Sequence, residues 1–466
     1  MRLPSSAVLA CLLLTAPIAT RGGEDRPIPI DPARQERYAR ELLDWSRQTL
    51  GGAYEKVGKK DPRWDEPARE ALEAAARWFG RAVDPCGRPE HVFHPAKRAV
   101  DAGCDDPLIL HLHARCATGP NSPGPVEDAR RGVAAALAME RSAYPPLRRA
   151  SAMIRTGQVL ASKPGATAAE RKEAARLLDA TLALVVKEAV KGAREFEGKD
   201  RWYSIVAEVF EGQRLLIADP LKALAHCDAV LAKAPALEVI RLQLRASFYT
   251  DHAWKARGIG LGDTVTPEAA RLMEKRLAVA RKALERAWTL DPSGKYTPNL
   301  MLGVLIGVGG DRDVMETWFR RAIEVDGNGY DACYLKMDYL DPKWYGSQKE
   351  VLAFAKACRN TKDWRSGTTL LSAEVHYRVA LQLGDRGFDD YMGNREVWDD
   401  VRPVYEEYLG HYEVDHQHRS MFAALSQECG SFMEADRQFK ILGDNLIGND
   451  LISLATMKEL RDDAAE

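Results

Sequence analysis

The chain has 466 residues, of which 45% are hydrophobic and 29% charged, with 66 Lys and Arg against 68 Asp and Glu. The resulting formal charge of −2 excludes the basic footprint of a nucleic-acid binder and the excess charge of an acidic disordered protein. The length leaves room for more than one domain and a large buried core. At the N-terminus a single base, Arg2, precedes an apolar run from Ala7 to Ala16, and small and turn-forming residues follow. This is the layout of a secretory signal peptide over residues 1–22, which would send the mature chain to the periplasm or outside the cell. The run is too short to span a bilayer as a helix. No later segment reaches ~18 uninterrupted apolar residues, so no membrane span is expected in the mature chain. Eight cysteines are present. Cys11 falls in the leader, and the others are widely spread, which is not the pattern of a disulfide-built miniprotein.

Residues 23–200 read as an N-terminal helical region. After the extended lead-in Pro27-Ile28-Pro29, nearly every segment has helical periodicity. In Glu66–Val83 the residues Ala71, Leu72, Ala75 and Phe79 share one face, and Glu127–Met139 carries Val133 and Leu137. Alternation of the strand type is almost absent. Asp-Pro pairs at 61, 106, 219, 291 and 341 mark helix starts or inter-helix turns, because proline suits the first turn of a helix and not its interior. Gly119–Pro125 is the clearest loop. Cys104, His111, His113 and Cys116 could form a ligand set, but on one helix they do not converge, and buried packing is the favoured reading. The charged stretch ending at Asp200 places a soft boundary there, ahead of a second helical domain over 201–448 and a tail over 449–466.

Within that second domain a period in the mid-thirties appears. Arg286-Ala287-Trp288-Thr289-Leu290-Asp291-Pro292 is echoed by Arg321-Ala322-Ile323-Glu324-Val325-Asp326-Gly327, with Ala287 and Ala322 35 residues apart. Leu302-Gly303, Gly310, Met315 and Phe319 fall between them, and Leu425, Gly430, Ala435 and Phe439 repeat the arrangement. These positions resemble the tetratricopeptide pattern, in which small residues let two antiparallel helices approach and an aromatic fills the gap to the next pair. Residues from about Leu215 to Gly443 also resemble a bacterial family of unknown function. The resemblance is carried by Tyr249–Gly258, by Trp318-Phe319-Arg320-Arg321-Ala322, by Tyr330-Asp331-Ala332-Cys333 and by Tyr339–Ser347. It implies a helical fold and often an exported protein, and supplies no catalytic residues.

The strings that announce common chemistry are missing. There is no His-Glu-x-x-His, no Gly-x-Ser-x-Gly and no phosphate loop. Gly258-Ile259-Gly260-Leu261-Gly262 follows no strand, which a dinucleotide turn would need. His411, His416 and His418 stand with Glu413 and Asp415 in a short stretch whose side-chain types suit zinc. A metal-dependent hydrolase of the cell envelope with a site near His411–His418 is therefore the alternative function, although a polar turn before the last repeat is the favoured reading of the stretch. Trp344 and Tyr345 lie in a loop, where they can serve as a ligand platform or anchor the loop to the helices. Cys333 near the start of one helix and Cys358 near the end of the next would be neighbours in an antiparallel hairpin, so a disulfide between them fits an oxidising compartment.

The expected fold is all-α, a superhelix of antiparallel helix pairs that is irregular in its N-terminal half. Stacked pairs make a groove, and at Thr297, Leu300, Val304 and Gly307 that groove would be nearly uncharged. The expected function is a non-catalytic, exported scaffold that binds a protein or peptide, without a cofactor, a metal or nucleic acid.

Overall fold

Aspartate before proline sets much of the local structure. Asp219 caps a helix that Pro220 opens: its Oδ1 accepts the backbone N–H groups of Leu221 at 2.9 Å and Lys222 at 3.4 Å. Asp106 does the same ahead of Pro107, taking Leu108 N–H at 2.9 Å and Ile109 N–H at 3.3 Å. At Asp61, Asp291 and Asp341 the side chain instead accepts the N–H two residues on, at 2.9, 3.1 and 3.0 Å, and closes a turn between helices. Asp31 likewise accepts Ala33 N–H at 3.0 Å ahead of the helix that Pro32 opens, so among the described residues the dipeptide starts a helix in three places and closes a turn in three.

The structure is a computed structural model that describes residues 28–80, 89–117, 127–190, 198–258, 264–309, 311–326, 329–413, 415–449 and 451–464. The expected leader, the Gly119–Pro125 loop and Cys86 lie outside the described residues. Among the described residues all regular structure is helical. In chain order the helices are α1 (Pro32–Thr49), α2 (Gly51–Val57), α3 (Asp65–Phe79), α4 (Pro89–Asp101), α5 (Pro107–Ala117), α6 (Glu127–Arg141), α7 (Pro146–Ser162), α8 (Ala168–Val190), α9 (Gly198–Leu216), α10 (Pro220–Leu231) and α11 (Glu238–Arg257). Then follow α12 (Pro267–Leu290), α13 (Tyr296–Val308), α14 (Arg312–Val325), α15 (Tyr330–Leu340), α16 (Gln348–Asn360), α17 (Leu371–Ala380), α18 (Gly384–Met392), α19 (Arg395–His411), α20 (His416–Glu428), α21 (Phe432–Leu442) and α22 (Leu454–Ala464). No helix among the described residues is long and apolar enough to cross a membrane.

The chain forms two compact units. One, here the N-terminal unit, comprises Glu36–Tyr249 and Val279–Thr297. In it α3 to α9 pack each on the next, and alternate helices also touch, α3 with α5 and α7 with α9. Each helix meets its chain neighbours and little else, which is how stacked helix pairs bury a continuous core. Much of that core comes from alanine, with Ala68, Ala71, Ala75, Ala76, Ala96 and Ala99 fully buried around Leu72, Ile109 and Leu112.

The C-terminal unit comprises, among the described residues, 28–35, Thr250–Ala278 and 298–464. The same succession runs from α14 to α22, with α17 also against α19 and α20 against α22. Its main core gathers Val397, Val401, Val404 and Tyr405 of α19 against Met421, Phe422 and Leu425 of α20. The repeat positions read from sequence behave as helix-pair packing requires: Met315, Phe319 and Ala322 of α14 are buried, and so are Leu425, Ala435 and Phe439. Gly430 makes the turn between α20 and α21 at φ +71°, a conformation that favours glycine. Gly303 differs, because a Cβ there would meet nothing within 4 Å; its small size is not what lets the neighbouring helix approach.

Candidate functional site

In the N-terminal unit the odd-numbered helices bring a row of arginines onto aromatic rings. Arg148 of α7 lies 4.7 Å over Trp45 of α1 and 5.3 Å over Phe79 of α3. Arg115 of α5 lies 5.4 Å over Trp78 and 5.1 Å over Phe79. Arg201 of α9 lies 5.7 Å over Trp45. α3 packs on α5 and α7 on α9, and the ring contacts carry side chains of α5, α7 and α9 to Trp45 of α1 and to Trp78 and Phe79 at the end of α3. A ring under Arg115, Arg148 and Arg201 fixes the plane of each guanidinium.

Neutral groups hold these cations in place. Arg148 donates through Nε and Nη2 to Thr49 Oγ1 at 3.1 and 2.8 Å, and Arg115 Nη1 donates to Ser151 Oγ at 3.2 Å. Arg155 of α7 adds a fourth positive charge, in electrostatic contact with Arg115 and with Glu208 of α9. Burial and the neighbouring like charges shift the groups of the row. Burial, then Arg155, pulls the Arg115 guanidinium below its ordinary value. Burial followed by Arg115, Arg148 and Arg155 pushes His111 of α5 down to about 3. Glu208 is exposed, and desolvation raises its carboxyl against the pull of Arg115, Arg201 and Arg155.

A second polar cluster lies in the C-terminal unit. Asp415 caps α20 by accepting His418 N–H at 3.1 Å through Oδ1, while its Oδ2 faces His418 Nδ1 at 2.8 Å and accepts the Tyr408 hydroxyl at 2.8 Å. Burial raises Asp415, but the His418 bond and charge outweigh it and hold the carboxyl well below its usual range. His418 is lowered by burial and raised by Asp415 and Glu374, with the net result upward. Glu374 of α17 is itself buried and in electrostatic contact with His418 and Arg378. Both bonds of His418, to Asp415 Oδ2 and to the Tyr408 hydroxyl, are made through Nδ1.

For this pair the direction of the pH dependence is fixed. The raised His418 contributes stability below about pH 6.5 and loses it as pH rises through its folded value; the lowered Asp415 contributes above about pH 3.9 and loses it as pH falls. Asp415→Asn keeps the cap and removes the charge. It is expected to lower the His418 midpoint followed by NMR of the ring, and to cost about 1 kcal/mol more at pH 6 than at pH 9 in urea unfolding.

The residues singled out from sequence fall as follows. Trp344 packs edge-on against Trp254 at 5.4 Å. Tyr345 is 40% exposed, donates its hydroxyl to the Ile306 carbonyl at 3.2 Å and lies 4.9 Å from the Tyr339 ring. Cys333 and Cys358 are both buried, and their thiols are in hydrogen-bonding contact. His411, in the same last turn of α19 as Tyr408, packs 5.9 Å from Trp364. Among the described residues no three His, Cys, Asp or Glu side chains converge as metal ligands.

The uncharged groove expected on α13 lies elsewhere. Thr297 is fully buried and takes the Gln243 amide at 2.9 Å, Val304 is fully buried, and a Cβ on Gly307 would stand 2.7 Å from Leu277. A helix apolar on every side is interior, and absence of charge on α13 signals that rather than an open face. The arginine row went unread because its members are separated by tens of residues. The available signal was the coincidence of half-exposed tryptophans at 45 and 78 with arginines on amphipathic helices.

No family model and no curated protein matches the chain. A crystal structure of yeast Tom70 aligns with 92% of this chain and 96% of its own at 12% identity, with a TM-score of 0.24. At that score the likeness carries no argument, and the fold stands on the helix contacts described above.

Proposed function

We propose that the chain is an exported, non-catalytic scaffold for protein–protein interaction, and that its arginine row receives carboxylates from an acidic segment of the partner. The observation that carries this is the gathering of Arg115, Arg148 and Arg201 against Trp45, Trp78 and Phe79, with Arg155 in electrostatic contact with Arg115. Guanidinium forks held flat on rings match carboxylates bidentately, and an incoming anion relieves the like-charge strain within the row. Successive helix pairs supply the extended surface on which such a segment can lie. Support for export comes from the leader-like pattern of residues 1–22; an alkaline phosphatase fused after residue 30 is active only where that leader carries it across a membrane.

The binding test uses labelled hexaglutamate and the full mature chain. Binding is expected at low ionic strength and should weaken steeply as salt is added. Arg115→Gln with Arg201→Gln is expected to weaken it at least about tenfold, with helicity unchanged. Hexalysine should not bind. Equal affinity of hexaglutamate for the variant and the parent chain would remove the row from the interaction. Tighter binding of single-stranded DNA than of hexaglutamate would assign the row to a different class of partner.

A further inference from the structure

A second feature of the C-terminal unit is chemical rather than electrostatic. Cys333 lies in the first turn of α15 and Cys358 in the last turn of α16, 25 residues later. The two helices pack on one another, joined by the turn from Asp341 to Ser347. The cysteines therefore meet at the open end of the hairpin, opposite its turn. Both residues are fully buried, and the Cys333 thiol is in hydrogen-bonding contact with that of Cys358. The site is anchored on each side: Cys333 N–H donates to the Gly329 carbonyl at 2.9 Å, and the Cys358 carbonyl accepts the Thr361 hydroxyl at 2.7 Å. Two thiols in contact, on elements held by packing, need little backbone movement to reach disulfide geometry.

We propose that Cys333 and Cys358 are a disulfide-forming site that staples the open end of the α15–α16 hairpin. The oxidant is a small-molecule or protein disulfide. One cysteine thiolate attacks it and releases one thiol, giving a mixed disulfide. The second cysteine thiolate then attacks the protein sulfur of that mixed disulfide and releases the other thiol. Two cysteine S–H groups are oxidised to one S–S bond, and one disulfide is reduced to two thiols. Complete burial puts this exchange during folding, before the hairpin closes over the pair, and afterwards shields the bond from reductants. In the cell the oxidant's presence rests on the proposed export, since disulfides persist in oxidising compartments.

The test separates the pair from the compartment. The full chain, reduced and unfolded, is refolded in oxidised and reduced glutathione, then digested without reductant and mapped by mass spectrometry. A cross-linked peptide joining Cys333 to Cys358, absent after reduction, is expected. The bond should raise the unfolding midpoint of the C-terminal unit by roughly 5–10 °C over the reduced chain. Cys333→Ser with Cys358→Ser should match the reduced chain and not the oxidised one, which keeps a folding defect apart from loss of the bond. Full alkylation of both cysteines in denaturant after oxidative refolding would overturn the proposal. If the pair closes in glutathione yet both sulfurs are thiols in chain recovered from its own cells, the site stands and the export reading falls.

Discussion

Asp106→Ala is expected to destabilise the N-terminal unit by about 3–5 kcal/mol, measured as a fall in urea midpoint at unchanged slope. Asp106 is fully buried and joins three separate stretches of chain. Its Oδ1 caps α5 through Leu108 and Ile109. Its Oδ2 accepts the Lys59 N–H at 2.9 Å, from the turn before α3. Both oxygens accept the hydroxyl of Tyr144, at 3.0 and 2.9 Å, from the turn between α6 and α7. Losing the cap alone costs about 1 kcal/mol. The larger part is the stranding of the Tyr144 hydroxyl, 2% exposed, and of the Lys59 N–H without an acceptor, each about 1–3 kcal/mol. Asp106→Asn keeps one oxygen for the cap and should cost about half as much. A double-mutant cycle identifies the mechanism: Tyr144→Phe should cost about 1 kcal/mol in the parent chain and recover about 1–3 kcal/mol beside Asp106→Ala, where it removes the stranded hydroxyl. Full additivity would mean that the two side chains act independently.

Asp106 also shows how far sequence can be followed. Asp106-Pro107 is a helix start by its residue types, and that much is local. Its grip on Lys59 and Tyr144 is not local, because each lies about 40 residues or more away. The same division holds throughout. The all-α class and the repeat positions around Phe319 and Phe439 follow from a period that the chain writes out residue by residue. The contact of Cys333 with Cys358 was legible because a hairpin with one short turn fixes which ends meet. The arginine row needed side chains from five helices, which no window of sequence contains. The uncharged face of α13 pointed the wrong way for a physical reason: a groove and an interior both lack charge, and only the neighbours Trp254, Met273 and Leu277 around Gly307 distinguish them.

The acid limb of stability should be governed in the N-terminal unit by His111. Burial first, and the positive charges of Arg115, Arg148 and Arg155 after it, push this imidazole down to about 3, against about 6.5 in an unfolded chain. Between those values the unfolded chain binds a proton that the folded chain refuses. The His111 contribution is therefore fully present above about pH 6.5 and is lost as pH falls, by about 2 kcal/mol between pH 7 and pH 5. His111→Phe removes the titrating group from this buried site and should flatten this limb. His418 runs the opposite way in the C-terminal unit, where stability is lost as pH rises above about 6.5. Hydrogen exchange read by peptide resolves the two: protection in α5 should fall from pH 7 to pH 5, after correction for the intrinsic rate, while protection in α20 should fall from pH 7 to pH 9. Hexaglutamate in the arginine row brings negative charge towards His111, so its titration should move upward in the complex and the acid limb of α5 should soften. An unmoved His111 alongside tight hexaglutamate binding would place the peptide away from Arg115 and Arg148.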